Sequence, residues 1–293
     1  MGHYRSHPFH TPSEWSGVIP SGRPFFKMSG SGNDFVFVDA RAEPPGSLAD
    51  PSVIRSICAR GTGVGADGIV FLETDPAAAV RLTYINADGS RAELCGNATL
   101  CTTRLAVELG AAPATGFDIA TDSGPVSARL VDGVPEIDLQ PVAHALSDFP
   151  AIEREAGEDR IGFAEVGVPH LVILCKNVEA VDVVGRGRPL RRHPSLPRGA
   201  NVNFVAPLEN GDWRMRTYER GVEAETLACG SGAVATAILL TVWGLASGGS
   251  VELVTSSGRR LRVRLKRDGS AWLPSLAGEG RVVYQGRFGE VMP

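Results

Sequence analysis

The chain has 293 residues, a net charge of −4 at pH 7 and a sequence pI near 5.9. This length accommodates two domains of ordinary size, and the mildly acidic balance gives no electrostatic case for a nucleic-acid partner. Its five cysteines include no C-x-x-C pair and do not group with the six histidines at metal-ligand spacings, which predicts free thiols in a reducing compartment and no metal site.

Residues 1–24 contain three histidines, four prolines and no long apolar run, so we expect a disordered extension and not a signal peptide. Residues 25–140 form the first predicted module. Its helices are expected from Pro51 to Arg60, after an Asp50 N-cap, and from Cys95 to near Gly110. Its strands are predicted at 25–28, 35–39, 69–72, 80–85, 117–120, 126–131 and 137–139.

Residues 141–275 form a second predicted module with the same plan. Cys229 follows Cys95 by 134 residues, and this offset also links Tyr84 to Tyr218 and residues 117–124 to 251–258. Strands are predicted at 171–174, 202–205, 213–218, 251–254 and 261–265, with a helix after Cys229. A closing strand at 281–285, within 276–293, is expected to return to the first module. Such self-similarity predicts a duplicated α+β domain, with short strands around one buried helix per module.

Two segments of biased composition need an interpretation. The stretch from Thr226 to Val251 lacks Asp, Glu, Lys and Arg. Its apolar part, 233–245, is shorter than the ~20 residues that a bilayer-spanning helix needs, so we predict a buried helix and no membrane partner. Five arginines between Arg186 and Arg198 are interrupted by prolines, and we interpret this run as a solvated loop.

Two possible cofactor-binding signatures occur in sequence surroundings that do not suit the cofactor. Gly61 to Ala66 resembles a dinucleotide-binding fingerprint, but a predicted helix precedes it and a strand follows, which is the reverse of what that motif needs. The lysines Lys27, Lys176 and Lys266 stand in no phosphate-binding context that suits pyridoxal phosphate. The sequence therefore disfavours a cofactor-based racemisation.

The two cysteines related by the repeat stand in matching contexts, Cys95-Gly96-Asn97 and Cys229-Gly230-Ser231, each at a predicted helix start. Backbone N–H groups and the helix dipole favour a thiolate there, so we expect both thiols to titrate within reach of neutral pH. Opposed across a cleft, one thiolate could remove a proton from carbon while the other thiol delivers one to the opposite face. Cys58, Cys101 and Cys175 are interpreted as buried apolar residues.

Polar residues around these motifs suit a zwitterionic small molecule. Glu219 could meet an ammonium group and Arg220 a carboxylate, and the helix starts present N–H groups to a carboxylate. His170 either polarises a thiol or is a satisfied strand histidine. Asn33, Asn86 and Asn201 lie in predicted turns, where asparagine is common for conformational reasons alone.

Ordered motifs carry a wider resemblance. They occupy residues 27–35, 63–68, 86–90, 95–97, 169–170, 199–204, 218–221 and 226–232. From about Phe26 to Phe288 the chain resembles the diaminopimelate epimerase family, whose members are cofactor-independent two-cysteine amino-acid epimerases. It departs from the family pattern at three places: Ala98-Thr99-Leu100 stands for Gly-Ala-Arg, Val168 for an Asn that many relatives carry, and Gly68 for a Gln found in some.

The resemblance implies two pseudo-symmetric domains, each with a sheet wrapped around a central helix, and a cytoplasmic homodimer. It implies that Cys95 and Cys229 are the catalytic pair and that His170 and Glu219 tune the thiols. It implies substrate contacts from Asn33, Asn86, Gly96, Asn97, Asn201, Glu219, Arg220, Gly230 and Ser231.

The activity that follows from the resemblance is the interconversion of LL- and meso-2,6-diaminopimelate by two-base transfer of the α-proton, in lysine and peptidoglycan precursor synthesis. Two alternatives stay open. One is a related two-cysteine racemase or epimerase of another amino acid. The other is a thiol redox or binding protein whose cysteines form a regulatory disulfide.

Overall fold

The computed structural model describes residues 22–92, 95–247 and 249–289. Of the predicted N-terminal extension, residues 1–21 lie outside the described residues, and the first strand begins at Pro24. Within these ranges the chain forms seventeen strands and four α-helices.

The helices are α1 (Pro51–Cys58), α2 (Gly96–Glu108), α3 (Val183–Arg191) and α4 (Gly230–Val242), with 3-10 turns at Gly46–Ala49 and Val178–Ala180. The strands of the first half are β1 (Pro24–Gly30), β2 (Asn33–Asp39), β3 (Gly68–Glu73), β4 (Val80–Asn86), β5 (Phe117–Thr121), β6 (Gly124–Val131) and β7 (Val134–Asp138). The remaining strands are β8 (Ala145–Leu146), β9 (Glu158–Val166), β10 (Val168–Cys175), β11 (Asn201–Pro207), β12 (Trp213–Glu219), β13 (Ala224–Thr226), β14 (Ser250–Val254), β15 (Arg260–Asp268), β16 (Ala271–Gly278) and β17 (Arg281–Arg287).

The strands form one continuous sheet whose two halves follow the same plan. In the first half, β2 and β3 are parallel, β4 and β5 are parallel, and the other neighbours from β1 to β7 are antiparallel. Strands β9, β10, β11, β12, β14, β15 and β16 repeat this series of directions. Pairing of β7 with β16 joins the halves, and β17 pairs with β1. The predicted α+β class, with two pseudo-symmetric sheet-and-helix domains, is confirmed.

Each half-sheet encloses one central helix that is buried on nearly all sides. Helices α2 and α4 share a single core with the inner faces of both half-sheets, whereas α1 and α3 cover the outer faces. In α2 the hydroxyls of Thr99, Thr102 and Thr103 each donate to the carbonyl oxygen four residues earlier, at 2.9, 2.9 and 2.8 Å. These bonds satisfy polar side chains in apolar surroundings. Among the described helices, none is long and apolar enough to cross a membrane.

The arginine-rich segment forms a helix over Val183–Arg191, so its interpretation as a solvated loop is wrong there. The carboxylate of Asp182 accepts a hydrogen bond from the N–H of Gly185 at 2.9 Å and caps the helix. The guanidinium of Arg186 pairs with Glu158 on β9 at 2.9 Å. A cap and ion pairs from a distant strand thus offset the poor helix propensity of this segment.

The offset between the two halves is not constant along the chain. Trp213, which pairs with β14, follows its counterpart Val80, which pairs with β5, by 133 residues. Tyr84 therefore corresponds to Thr217, and the predicted equivalence of Tyr84 and Tyr218 is wrong. Because a one-residue shift reverses the face of a strand, Tyr84 lies in the inner core and Tyr218 in the outer cluster under α3.

Candidate active site

The N-terminal ends of α2 and α4 meet inside the molecule. Cys95 and Cys229 are the N-cap residues of these helices and share an extended conformation, with φ of −131° and −138°. A Cβ built on Gly230 would lie only 3.9 Å from the Cα of Gly96. The side chain of Leu276, on β16, lies against both glycines. The fold therefore brings two cysteines from distant segments to adjoining helix starts.

Both thiols are held in the protonated form at neutral pH. Burial raises the pKa of Cys95 to about 11 and that of Cys229 to about 12, and the charge of Glu219 adds to the increase at both. The helix start acts in the opposite direction: the N–H of Gly232 donates to Sγ of Cys229 at 3.4 Å, and Oγ of Ser231 lies 3.7 Å from the same sulfur. The prediction of near-neutral thiol pKa values is wrong, because desolvation outweighs these N–H groups.

A carboxylate fixes the orientation of two amides beside Cys95. Oδ2 of Asp67 accepts from Nδ2 of Asn33 at 2.9 Å, and Oδ1 of Asn33 then accepts from Nδ2 of Asn97 at 2.6 Å. An ionised carboxylate only accepts, so this series of bonds runs in one direction. Asn97 is left presenting Oδ1, which is buried and without a hydrogen-bond partner among the described residues. Such an oxygen suits an ammonium group.

The His170 ring is fully buried on β10, and only one of its two nitrogens has a hydrogen-bond partner among the described residues. Its Nδ1 lies 3.2 Å from Nδ2 of Asn203, whereas Nε2 has no hydrogen-bond partner within residues 22–92, 95–247 and 249–289. Burial, with the charge of Arg220, lowers the pKa of His170 to about 3. The ring is therefore neutral at physiological pH and cannot act there as a cationic partner for a thiolate.

The predicted contacts of the second half lie at the starts and ends of neighbouring strands. Arg220 follows β12, and its backbone N–H donates to Oδ1 of Asn201 at 2.7 Å. Its guanidinium donates to the carbonyl oxygen of Arg198 at 3.0 Å. Burial raises the pKa of Glu219, and the charge of Asp67 adds to the increase. This carboxyl group is thus placed to act on both thiols and on a cationic ligand group.

Asn86 stands apart from the other predicted contacts. It ends β4, and its Nδ2 donates to Oγ of Ser90 in the following turn at 3.0 Å. Within the described ranges, no hydrogen bond joins it to another predicted site residue. By strand register it occupies the place in the first half that Glu219 occupies in the second.

Sequence reasoning missed three residues around the site: Asp67, Asn203 and Tyr84. A Cβ on Gly68 would lie 2.5 Å from Cε2 and 2.9 Å from the hydroxyl of Tyr84, so this ring fills the space that a side chain at position 68 would need. Asn203 had one available signal, a polar residue on the inward-facing positions of an apolar strand. Asp67 lies within the ordered motif at residues 63–68, but no local pattern indicates its role, because that role depends on the distant Asn33.

The described residues offer little to anchor a metal or an amine-linked cofactor. No three His, Cys, Asp or Glu residues among them come close enough together to hold a metal ion. The amine of Lys27 is buried in an ion pair with Asp34 at 2.5 Å.

Known proteins resemble this chain in sequence and in fold. The family profile described as "Diaminopimelate epimerase" matches residues 25–139 and 162–284. The diaminopimelate epimerase of Gemmatimonas aurantiaca is 50% identical over 273 residues, covering 90% of this chain and 98% of that protein. The enzyme of the same name from Aquifex aeolicus is 37% identical, covering 91% and 98%. A Bacillus anthracis phenazine biosynthesis protein of the PhzF family shares the fold, with a TM-score of 0.68, 16% identity and coverage of 90% and 98%. The resemblance seen in the motifs is confirmed, and the chain belongs to the diaminopimelate epimerase family.

Proposed function

We propose that this chain is a cofactor-independent isomerase that interconverts LL- and meso-diaminopimelate in lysine biosynthesis, with Cys95 and Cys229 as its two bases. The observation that carries the proposal is the convergence of two cysteine N-caps at adjoining helix starts, in a chain 50% identical to a diaminopimelate epimerase. Two groups that accept and deliver a proton from opposite sides are what inversion at carbon needs.

The reaction begins with the α-carboxylate at the two helix starts. Backbone N–H groups of Gly96 and Asn97 on one side, and of Gly230 and Ser231 on the other, bind it and stabilise the negative charge that develops next to it. With the substrate bound, one cysteine loses its thiol proton to solvent, and the resulting thiolate removes the α-proton and becomes a thiol again. The opposite cysteine, a thiol at the start, delivers its proton to the other face of the carbon and becomes a thiolate. No atom is gained or lost, and the direction of reaction decides which cysteine starts as the base.

The positive charge of the substrate helps a thiol to ionise. Burial and Glu219 hold both thiol pKa values high, so an incoming ammonium group lowers them by adding positive charge nearby. Asn97 Oδ1 and the Glu219 carboxylate are the acceptors for such groups. At the distal end of the substrate, Arg220 binds a carboxylate, and Asn33, Asn86 and Asn201 supply the remaining polar contacts. Glu219 thereby tunes the thiols by its charge, whereas the neutral ring of His170 acts on substrate binding.

Label uptake from solvent tests the substrate. Reduced protein is incubated with LL-diaminopimelate in deuterated water, and inversion and deuterium at the α-carbon are followed together. We expect both, and neither in Cys95→Ala or Cys229→Ala. Cys175→Ala, a buried thiol of the outer cluster, is the matched control and keeps full activity.

Loss of both inversion and label uptake in the reduced parent protein would remove the substrate assignment. A panel of other amino acids then tests a racemase of different specificity. Activity that depends on the redox state, without any label uptake, would favour the thiol redox alternative.

We further propose a cytoplasmic homodimer. All five thiols are free, as a reducing compartment would keep them. Among the described strands, β17 pairs only with β1, and it exposes Val283 (44%) and Tyr284 (45%). Exposed apolar residues on an edge strand favour association with a second copy. Sedimentation of the parent protein and of Tyr284→Lys tests this, and a monomeric parent protein would contradict it.

A further inference from the structure

We propose that Asn203 is a positioning residue that holds the His170 ring in the neutral form protonated on Nε2, so that Nε2–H donates a hydrogen bond to a carboxylate of the bound substrate. The proposal rests on the proposed function for the identity of that acceptor. The argument about the ring itself rests only on hydrogen bonds between described residues.

The amide of Asn203 can sit in only one orientation. Its Nδ2 donates to the carbonyl oxygen of Leu171 at 3.0 Å, and its Oδ1 accepts from the hydroxyl of Thr217 at 2.9 Å. Turning the amide over would place Oδ1 against the carbonyl oxygen of Leu171, and a carbonyl oxygen has no proton to give. The NH₂ group therefore faces both Leu171 and His170.

The orientation of this amide determines the position of the proton on the ring. Nδ1 of His170 lies 3.2 Å from Nδ2 of Asn203, which is a donor, so Nδ1 must be the acceptor and carries no proton. A neutral imidazole has one proton, which is then on Nε2. A doubly protonated ring would set two donors against each other, and the burial of the ring and the charge of Arg220 disfavour that form as well.

The arrangement lies against the catalytic helix. His170 and Val172 point to the inner face of the sheet, while Leu171 and Ile173 belong to the outer cluster. A Cβ on Gly232, in the first turn of α4, would fall closer than 3.0 Å to Oδ1 of Asn203. The same Cβ would lie 3.1 Å from Sγ of Cys229. Asn203 is thus packed between the histidine and the turn that carries the cysteine.

The unpartnered nitrogen therefore indicates an acceptor. Nε2 is buried and makes no hydrogen bond to any described residue, and a buried donor of this kind is rarely left without a partner. A neutral N–H suits a carboxylate oxygen, since it can donate at every physiological pH without a counter-charge. It cannot take the α-proton, so its effect is on binding and orientation.

The first experiment reads the ring directly. In protein labelled with ¹⁵N-histidine, the His170 resonances are assigned by comparison with His170→Gln. We expect an unprotonated Nδ1 and a protonated Nε2, unchanged between about pH 5 and pH 8, the range over which ordinary histidines titrate. A proton on Nδ1, or titration within that range, would overturn the proposal whether or not the protein acts on diaminopimelate.

The second experiment reverses the polarity of the contact. Asn203→Asp keeps the shape but presents an acceptor to Nδ1, so it draws the proton there and leaves Nε2 bare. We expect the NMR pattern to invert, kcat/KM to fall roughly ten- to hundredfold, as for a lost hydrogen bond to a charged group, and its pH profile to gain a new limb. An unchanged tautomer and pH profile would contradict the positioning role.

A second pair of variants keeps the question open to refutation if Asn203→Asp does not fold. Thr217→Val removes the hydroxyl that donates to Oδ1, whereas Thr217→Ser keeps it. We expect the valine variant to show mixed His170 tautomers and a raised KM, and the serine variant to match the parent protein. Equal behaviour of the two would show that the hydroxyl does not orient the amide. The ring state is measured without substrate. If the ring shows the predicted protonation but the parent protein does not act on diaminopimelate, only the substrate assignment is refuted.

Discussion

Gly232 should be the glycine whose replacement by alanine costs most at the start of α4. The new Cβ would fall closer than 3.0 Å to Oδ1 of Asn203 and 3.1 Å from Sγ of Cys229. Asn203 cannot retreat without losing its bonds to Thr217, Leu171 and His170. Overpacking of this kind costs about 1–3 kcal/mol, while alanine in a helix gains up to about 1 kcal/mol over glycine. Subtracting that gain leaves an expected net loss of about 0–2 kcal/mol.

Denaturant unfolding of Gly232→Ala, Asn203→Ala and the double variant measures this contact. With the asparagine side chain gone, the added methyl has room, so the double variant should be more stable than the sum of the two losses predicts, by about 1–3 kcal/mol of coupling energy. Gly96→Ala, whose Cβ would meet only Leu276 at 3.3 Å, is the control and should change stability by less. Strict additivity of the two substitutions would refute the reasoning.

Three further outcomes are expected. Glu219→Gln removes a negative charge that raises both thiol pKa values, so those values fall and alkylation of the thiols at a fixed pH below them becomes faster, roughly tenfold per unit of pKa. Asp67→Asn can place an amide NH₂ where the carboxylate only accepts, so the amides of Asn33 and then Asn97 lose their fixed orientation. We expect kcat/KM to fall roughly tenfold. Leu276→Ala leaves a cavity beside both helix starts and lowers the free energy of unfolding by about 2–5 kcal/mol, measured by denaturant titration.

Each of these has an outcome that would count against it. Slower alkylation in Glu219→Gln would mean that this carboxylate acts on the thiols by another route than its charge. For Asp67→Asn, the control is Asp138→Asn on β7. Asp67 is paired with Arg60 and Asp138 with Arg129, so both variants remove a carboxylate from an arginine. Equal losses of kcat/KM in both would show that the orientation of the amides does not contribute. A Leu276→Ala protein as stable as the parent would show that the helix starts do not depend on this side chain.

The duplicated plan could be predicted because the two copies keep their local patterns. The contexts of Cys95 and Cys229 match, and each is followed by a long apolar stretch, which predicts two buried central helices. The predicted boundary near residue 140 stays a prediction. The predicted equivalence of Tyr84 and Tyr218 was wrong for a physical reason. In strands a shift of one residue changes which face a side chain occupies, and a comparison of residue types alone does not take this into account.

Other features depend on partners that are remote in sequence. The thiol pKa values result from a competition between helix-start N–H groups, which a local motif reveals, and desolvation, which only the packed molecule determines. Asp67 and Asn33 are 34 residues apart, and Asn203 and His170 are 33 apart. Sequence alone identifies the groups that carry the chemistry more readily than those that orient them.

The junction of β7 and β16 limits how the two lobes can separate. Three residue pairs, among them Leu276 with Ile137, continue the sheet from one half into the other. The two halves are therefore joined by strand pairing as well as by the chain that connects them. Leu276 also touches both helix starts, which places the reacting sulfur atoms close to this seam. A hinge rotation about the β7–β16 pairing would move the parts of the two halves far from it apart and admit substrate. The distance between the two helix starts, which lie close to this hinge, would change least.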